Sequence, residues 1–330
     1  MGPIVVVSGA SAGIGRATAR RFASAGWRVA LLARGVDGLD GARAEVEAMG
    51  AQAMAIPVDV ADEQAVEAAA ERVEREWGPI DAWINNAMVT AYCEFTDLAP
   101  ADFRRATEVT YFGTVWGTRA ALKRMIPRNR GAIVQVGSAL AYRSIPLQSA
   151  YCGAKSAIRG FTDSLRSELL HHRSRVHLTM VQLSAFNTPQ FDWGKTCMDR
   201  QPQPVPPIFQ PEVAAEGIYY AATHRRRELW VGWPAVKAIL ANKLIPGVID
   251  RILARSGYDG QHTDDPLPPG RRDNLYQPVP GDHGAHGRFD ARARPWSAQL
   301  WLSMHRWTLA AAAAALLAAG AMAARRRIAR

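Results

Sequence analysis

Short apolar segments alternate with longer amphipathic ones along the first 234 residues, and this alternation most restricts the folds open to the chain. The first segment, Ile4–Val7, is β-branched and is soon followed by a helical pattern over Arg16–Ala25. Similar pairs recur, so that about seven strands fit before residue 235. Short buried strands separated by helices require βαβ crossovers and a parallel sheet. The sequence therefore predicts an α/β fold with a doubly wound parallel sheet and an irregular C-terminal extension.

The pattern changes after Pro234 and divides the chain into four segments. Residues 1–234 carry the alternation, 235–256 predict a helical extension, and 257–306 are an irregular tail rich in Pro, Gly and Arg. Residues 307–330 combine an Ala-rich apolar segment with a basic end. Four interpretations of residues 307–324 stay open: membrane attachment, a helix packed on the domain or a partner subunit, a membrane-surface helix, and a disordered end.

Charge and cysteine content exclude several classes of protein. The net charge is +10, but the basic residues form no helical stripe interleaved with aromatic side chains, so we expect no nucleic-acid partner. The three cysteines, Cys93, Cys152 and Cys197, show neither a disulfide framework nor metal-ligand spacing. We therefore expect no disulfide, no metal and a reducing, cytoplasmic location. The N-terminus lacks a basic region followed by a long apolar one, so no secretory signal is expected.

A glycine-rich motif, SGASAGIG, lies between the first predicted strand and the first helix. Its glycines allow a tight turn and a close approach of the backbone to a pyrophosphate. The free N–H groups and the dipole of the following helix favour such an anion. The motif therefore predicts a dinucleotide cofactor, bound by Ser8, Gly9, Ser11, Gly13, Ile14 and Gly15.

The end of the second predicted strand indicates which dinucleotide is bound. Sites selective for NAD usually carry an acid there, which holds the ribose 2′-hydroxyl. Ala33 and Arg34 occupy this point instead, and Arg16 lies just past the glycine motif. Two cations without the acid suit a 2′-phosphate, so the sequence favours NADP(H) over NAD(H).

A second chemical motif, Tyr151-Cys-Gly-Ala-Lys155, lies on a predicted helix, with Ser138 upstream at a strand end. Residues four apart share one helix face, so the ammonium of Lys155 is expected to lower the pKa of Tyr151. The tyrosine could then exchange a proton with a carbonyl or alcohol oxygen. Ser138 could hydrogen-bond the same oxygen and fix its position.

These motifs, together with Asp59 and Asn85–Asn86–Ala87, resemble in order and spacing those of the short-chain dehydrogenase/reductase family, over residues 4 to about 232. The resemblance implies a Rossmann-type fold and an oxidoreductase that interconverts a carbonyl and a secondary alcohol. It implies that Asp59 meets the adenine ring and that Thr188 lies near the nicotinamide carboxamide. The cofactor contacts that it adds are Asp59, Val60, Asn86, Ala87, Tyr151, Lys155 and Thr188.

Three departures from the family pattern are visible. Met88 replaces the glycine of an NNAG motif, and Ser184–Ala185 replaces a Pro-Gly pair. Thr110 stands where an asparagine is usual, and that asparagine is thought to hold a water that links the lysine to solvent. Threonine is shorter and lacks the amide, so two alternatives stay open: Thr110 still holds a water, or the proton path differs. On this basis we include Thr110 among the catalytic residues.

The substrate side is less clearly defined by the sequence. The loop Phe186–Gln210 is expected to cover the substrate and contains Phe191, Trp193, Met198 and Phe209, with Tyr92, Phe95 and Ala139–Ile145 as further candidate walls. They predict an apolar carbonyl or alcohol substrate, although packing of the lid explains the aromatics equally well. The family implies a homo-oligomer through helices 102–125 and 149–170. The alternative function is a non-catalytic dinucleotide sensor or scaffold whose tail binds partners.

Overall fold

The computed structural model describes residues 2–308, and a parallel sheet of seven strands lies at its centre. All neighbouring strands in this sheet run in the same direction. The strands are β1 Ile4–Ser8, β2 Arg28–Ala33, β3 Ala53–Pro57, β4 Ala82–Asn85, β5 Ala132–Ser138, β6 His177–Leu183 and β7 Glu228–Val231.

The spatial order of the strands is β3-β2-β1-β4-β5-β6-β7. The chain moves outward from β1 to β3 and then returns past β1 to begin the other half at β4. This reversal opens a crevice at the carboxyl ends of β1 and β4, where doubly wound sheets bind ligands. The prediction of a Rossmann-type sheet of about seven strands is confirmed.

Helices cover both faces of the sheet. They are α1 Gly13–Ser24, α2 Val36–Ala48, α3 Glu63–Trp77, α4 Pro100–Thr107, α5 Gly113–Met125, α6 Ser149–His171, α7 Pro211–Thr223, α8 Trp233–Leu244, α9 Pro246–Ser256 and α10 Ala298–Met304. In β1, Val5 and Val7 pack with α1, α2 and α7, whereas Ile4 and Val6 pack with α3, α5 and α6. Because both faces of β1 are buried, its residues Ile4–Val7 are all apolar.

The predicted long helix 102–125 is interrupted in its middle. Between α4 and α5 the backbone forms a π-helical turn over Glu108–Phe112. Such turns insert one extra residue into a helix and often occur at functional sites. Thr110 lies at the centre of this turn.

The segment after residue 256 has little regular secondary structure in its described part, and it packs closely on the sheet. Leu275, Ala285 and Phe289 are each at most 5% exposed. Short strands join it to the loop after β6: His262–Pro266 pairs with Arg200–Pro202. His286 forms hydrogen bonds to Glu212 of α7 and to Asp290, at 3.0 and 2.9 Å.

The expectation that the cysteines form no disulfide is wrong. Cys93 and Cys197 form a bridge between the loop after β4 and the lid loop after β6. The two residues are 104 positions apart in sequence, so only the fold reveals that they meet. Cys152 is free and buried.

No helix within residues 2–308 is both long and apolar enough to cross a membrane. The segment 307–324, for which membrane attachment was one interpretation, lies outside the described residues apart from its first two.

Candidate active site

A cavity of about 800 Å³ follows the carboxyl ends of the strands at the reversal of strand order. Most of the residues predicted from the sequence line it: Gly9, Ser11, Gly13, Ile14, Arg34, Asp59, Val60, Asn86, Ala87, Ser138, Tyr151, Lys155 and Thr188. Four predicted residues do not line the cavity and lie behind the residues that do: Ser8, Gly15, Arg16 and Thr110. The fold thus brings the glycine motif and the Tyr–Lys motif to one cavity.

The glycine loop between β1 and α1 has the geometry that a dinucleotide requires. Gly9 and Gly13 have φ angles of +67° and +57°, a conformation that other residues rarely adopt. A Cβ atom on Gly15 would lie 2.0 Å from the carbonyl oxygen of Gly9. Only glycine therefore allows the loop to close against the start of α1, leaving the helix N-terminus at the cavity wall.

Ser8 connects this loop to the strand beside it. Its Oγ donates a hydrogen bond to the Ile84 carbonyl at 3.2 Å and accepts from the N–H groups of Asn86 and Ala87, at 3.0 and 3.1 Å. The amide of Asn86 donates in turn to the Ser8 carbonyl at 3.0 Å. Ser8 therefore shapes the site from behind, by fixing two loops that line the cavity.

Arg34, at the end of β2, lies half-buried at the cavity wall. Its guanidinium donates to the carbonyl oxygens of Asn274, Leu275 and Tyr276. No carboxylate of the described residues forms an ion pair with it. Burial lowers the pKa of Arg34 from its ordinary value, so its charge is poorly solvated and would gain from an anion.

Arg16 is in a different situation. Its side chain is 1% exposed and pairs with Glu45 at 2.8 Å and with Asp282 at 3.0 Å. It also donates to the carbonyls of Ser11 and Gly38, at 3.1 and 2.9 Å. With two carboxylates and two carbonyls as partners, Arg16 fixes the structure beneath the adenosine end of the cavity and does not reach the cavity itself.

Asp59 and Val60, at the end of β3, also line the adenosine end. Asp59 accepts a hydrogen bond from the N–H of Ala61 at 3.1 Å and forms a close ion pair with Arg105. Val60 packs against Gly113, where a Cβ atom would approach within 2.6 Å. The absence of a side chain at Gly113 therefore lets the helix after the π turn pack beneath this wall.

Ser138, Tyr151 and Lys155 meet at the other end of the cavity. Ser138 ends β5, and its Oγ accepts the N–H of Leu140 at 3.1 Å. Tyr151 and Lys155 share one face of α6, with the lysine Nζ 5.5 Å from the centre of the tyrosine ring. The Nζ donates to the carbonyl of Val136 at 2.6 Å. This arrangement can place a proton donor and a second hydroxyl beside one substrate oxygen.

Burial controls the protonation of this group. It raises the pKa of Tyr151, and the hydrogen bond from Ser138 lowers it by less. Burial also lowers the pKa of Lys155 to about 8. The expected lowering of the tyrosine pKa is therefore not found in the described site, because the lysine is turned toward Val136 and desolvation dominates. Tyr151 therefore keeps its proton at neutral pH.

Thr110 has different partners from those expected of a residue that holds a water. Its Oγ1 donates to the Val89 carbonyl at 3.0 Å and accepts the Val89 N–H at 3.2 Å. The side chain is fully buried. Thr110 therefore ties the π turn to the chain after β4, and these two bonds already engage its hydroxyl.

The substrate end of the cavity is largely apolar. Of the aromatic residues predicted as walls, Tyr92, Phe191 and Trp193 line it. Phe209 is part of the core beside α7, and Phe95 is 69% exposed on the surface. Met198 packs against a small cluster formed by Tyr92, Phe191, Ile208 and Phe289.

Sequence reasoning missed two groups of wall residues. The first, on α8 and α9, consists of Trp233, Pro234, Ala235, Lys237, Ala238, Ala241, Ile249 and Leu253. The second, in the irregular C-terminal segment, consists of Asn274, Pro278, Val279, Gly281 and His283. Nothing in the local sequence pattern of the second group signals this position, because a segment without periodicity gives no indication of where it docks.

An extended dinucleotide fits these residues. Since β2, β1, β4 and β5 are neighbours, the cavity passes from Arg34, past the N-terminus of α1 at Gly13, to Tyr151. A cation at one end, a glycine loop in the middle and a proton donor at the other match the adenosine, pyrophosphate and nicotinamide parts of such a cofactor.

Comparison with known proteins agrees with this geometry. A family model for short chain dehydrogenases matches residues 3–193. The Uncharacterized oxidoreductase YxnA of Bacillus subtilis (strain 168) is 33% identical over 282 residues, 85% of this chain and 79% of that protein. A short-chain dehydrogenase structure from Streptomyces avermitilis has a TM-score of 0.64 and 27% identity, over 78% of this chain and 95% of its own. A metagenomic short-chain oxidoreductase in complex with NADP has a TM-score of 0.59 and 26% identity, over 69% and 96%.

Proposed function

This chain belongs to the short-chain dehydrogenase/reductase family, and on that premise we propose that it interconverts a carbonyl and a secondary alcohol, with NADP(H) as cofactor and Tyr151 as proton donor and acceptor. Membership of the family makes it an NAD(P)-dependent oxidoreductase of a small molecule. The observation that carries the finer proposal is the meeting of Ser138, Tyr151 and Lys155 in the cavity that the glycine loop also lines.

In the reducing direction, the substrate carbonyl oxygen accepts hydrogen bonds from Ser138 and Tyr151. The bound cofactor supplies a hydride to the carbonyl carbon. Tyr151 gives its phenolic proton to the oxygen as negative charge develops there, which leaves a phenolate. The cation of Lys155 stabilises that phenolate, because an opposite charge nearby favours the ionised form. In the oxidising direction the same proton returns to Tyr151.

Two observations support NADP(H) over NAD(H). The end of β2 carries Ala33 and Arg34 and no acid for a ribose hydroxyl. Arg34 keeps an unpaired charge at the cavity wall among the described residues. Arg16, the second cation that the sequence offered, is already paired with two carboxylates. Structural neighbours do not decide between the two cofactors, because one is in complex with NADP and another, a xylitol dehydrogenase, is NAD+-bound.

We propose an apolar substrate because aromatic and aliphatic side chains surround the end of the cavity near Tyr151. Phe191 and Trp193 of the lid contribute to this wall, as do the inner faces of α8 and α9. Shape and apolar contact would select such a substrate, with Ser138 and Tyr151 fixing its oxygen.

Oligomerisation through α4–α5 and α6 stays a prediction.

The test compares wild type with Tyr151→Phe in NADPH oxidation, across a panel of apolar ketones and aldehydes. The phenylalanine variant should lose at least about a hundredfold in kcat, since it keeps the ring but removes the proton. Tyr219→Phe on α7, which lies outside the cavity, is the matched control and should retain full activity. Unchanged activity in Tyr151→Phe would refute the role, and NADPH binding without turnover of any substrate would favour the sensor.

A further inference from the structure

A strap from the C-terminal segment, residues 273–289, lies along the outer side of the cofactor cavity. It begins beside the lid, where the N–H of Asn274 donates to the Trp193 carbonyl at 3.0 Å. It continues past α2, where the N–H of Gly281 donates to Asp37 at 2.7 Å. It reaches the glycine loop, where the Gly284 carbonyl accepts the N–H of Gly13 at 3.0 Å. The strap therefore contacts the lid, α2 and the glycine loop, all of which border the cavity.

The first turn of the strap encloses the Arg34 guanidinium in backbone oxygens. Nη1 donates to the carbonyls of Leu275 and Tyr276, at 3.3 and 3.0 Å, and Nη2 donates to that of Asn274. We call these three carbonyls the cradle. Three consecutive carbonyls on one guanidinium hold its plane, because the N–H groups of arginine form a rigid fork.

The cradle is firmly anchored. The Leu275 side chain is fully buried in the main core beneath the sheet. The hydroxyl of Tyr276 donates to Asp102 at 2.9 Å, and Arg105 donates to the Leu275 carbonyl at 3.1 Å. The buried side chain of Leu275 and the hydrogen bond of Tyr276 to Asp102 therefore fix the orientation of the three carbonyls.

The cradle orients Arg34 without neutralising it. The nearby charged groups are Asp59, which favours the charged arginine, and Arg105, which opposes it. Asp59 and Arg105 already pair with each other, so one positive charge remains in excess at this wall. Had the strap supplied a carboxylate, as Asp282 does for Arg16, the charge would be compensated and an incoming phosphate would have to displace it.

We propose that the strap is part of the cofactor site and that Leu275 and Tyr276 are positioning residues, which hold the cradle and thereby aim Arg34 at the 2′-phosphate of the cofactor. The proposal rests on the NADP(H) preference proposed above. It assigns cofactor selection to a segment that lies beyond residue 193, where the family match ends. Selection would thus depend on the C-terminal segment as well as on β2.

The test measures binding of two fragments by isothermal titration calorimetry on the full chain: adenosine 2′,5′-bisphosphate and adenosine 5′-monophosphate. They differ only in the 2′-phosphate, and neither requires turnover. Leu275→Ala removes the anchor of the cradle and should weaken bisphosphate binding about tenfold while changing monophosphate binding by less than about twofold. Leu300→Ala, at an equally buried leucine of α10 away from the cavity, should leave both affinities unchanged.

Arg34→Gln separates this proposal from the one on which it rests. Alone, Arg34→Gln should weaken bisphosphate binding by about tenfold to a hundredfold. The ratio of the bisphosphate affinity to the monophosphate affinity should fall accordingly, and adding Leu275→Ala to Arg34→Gln should not lower this ratio further. If Arg34→Gln leaves the ratio unchanged, the NADP(H) preference fails. If Arg34→Gln lowers the ratio but Leu275→Ala weakens both fragments equally, the preference stands and the role of the strap is refuted.

Tyr276→Phe covers the case in which Leu275→Ala does not fold. The side chain is 47% exposed, so the change removes the hydrogen bond to Asp102 with little loss of packing. It should lower the ratio of the two affinities about threefold. An unchanged ratio in a folded Tyr276→Phe protein, with a thermal midpoint equal to that of wild type, would overturn the role of Tyr276 as a positioning residue.

Discussion

Replacing Asp282 by alanine removes one charged anchor of the strap, its ion pair with Arg16, and the structure allows the size of the effect to be estimated. The two carboxylate oxygens bond to Nη1 and Nη2 of Arg16, at 3.0 and 3.2 Å. Gly41 of α2 leaves room for this approach, since a Cβ atom there would lie 2.0 Å from the carboxylate. The variant therefore leaves a buried guanidinium with one carboxylate, that of Glu45, in place of two.

The expected cost lies between two limits. Breaking a fully buried ion pair costs about 3–5 kcal/mol, whereas an exposed pair contributes about 0–1 kcal/mol. Arg16 is almost completely buried, but the Asp282 side chain is 40% exposed, so water can replace part of its role. Two charge-assisted hydrogen bonds under partial solvent exposure are worth about 2 kcal/mol. For a chain of this size the entropy of unfolding is about 0.7 kcal/mol/K, so a loss of about 2 kcal/mol lowers the midpoint of thermal unfolding by about 3 °C.

The assay is urea unfolding followed by tryptophan fluorescence, combined with limited trypsin digestion. The strap contains Arg288, so release of the strap should speed cleavage there before the rest of the chain unfolds. Asp264→Ala is the matched control, because Asp264 is fully exposed and pairs with Arg200 at 3.4 Å. If Asp282→Ala is as stable as Asp264→Ala and is digested at the same rate, the ion pair does not anchor the strap.

Three further predictions concern other contacts. Cys197→Ser should lower the free energy of unfolding by about 2–4 kcal/mol, because the bridge to Cys93 closes a long loop; reductant should destabilise wild type in urea and leave the variant unaffected. Burial lowers the pKa of Lys155 to about 8, so kcat/KM for carbonyl reduction should fall as pH rises through about 8, and a flat profile there would contradict this. Burial lowers the pKa of His286, but hydrogen bonds to its two carboxylates outweigh this and raise it above 6.5. Its stabilising contribution is complete below pH 6.5 and lost as pH rises through the raised pKa, so the thermal midpoint of His286→Gln should depend less on pH above 6.5 than that of wild type, and an equal dependence would contradict this.

The sequence predicted the parts of the fold that depend on local pattern. The amphipathic period of the sequence over residues 63–77 predicts a helix, and the structure has a helix with the same boundaries, Glu63–Trp77, capped by Asp62. Helix α2 begins at Val36, whereas the helical pattern of the sequence predicts only Arg43–Met49. Gly38 and Gly41 weaken the helical signal because glycine disfavours helix. They are present because Ser11 and Asp282 pack against them, which is a tertiary cause.

In the candidate site, too, the features that depend on local sequence pattern could be predicted, and those that depend on tertiary contacts could not. The glycine loop and the Tyr151–Lys155 pair depend on short-range spacing, and they reach the cavity as predicted. The different surroundings of Arg16 and Arg34 could not be predicted, because they depend on which strap atoms reach each guanidinium. Asp282 and the cradle carbonyls lie more than two hundred positions away in sequence. The π turn that moves Thr110 onto Val89 likewise follows from packing against the chain after β4.

The long separation between the strap and the wall that it covers has a consequence for biosynthesis. Chains emerge from the ribosome N-terminus first, and domains fold as they appear. The glycine loop and Arg34 are made first, and their partners at Tyr276, Asp282 and Gly284 come some 240 to 270 residues later. The nucleotide cleft of the nascent protein is therefore open while the sheet forms. A cofactor can therefore enter before the strap is made and closes over it.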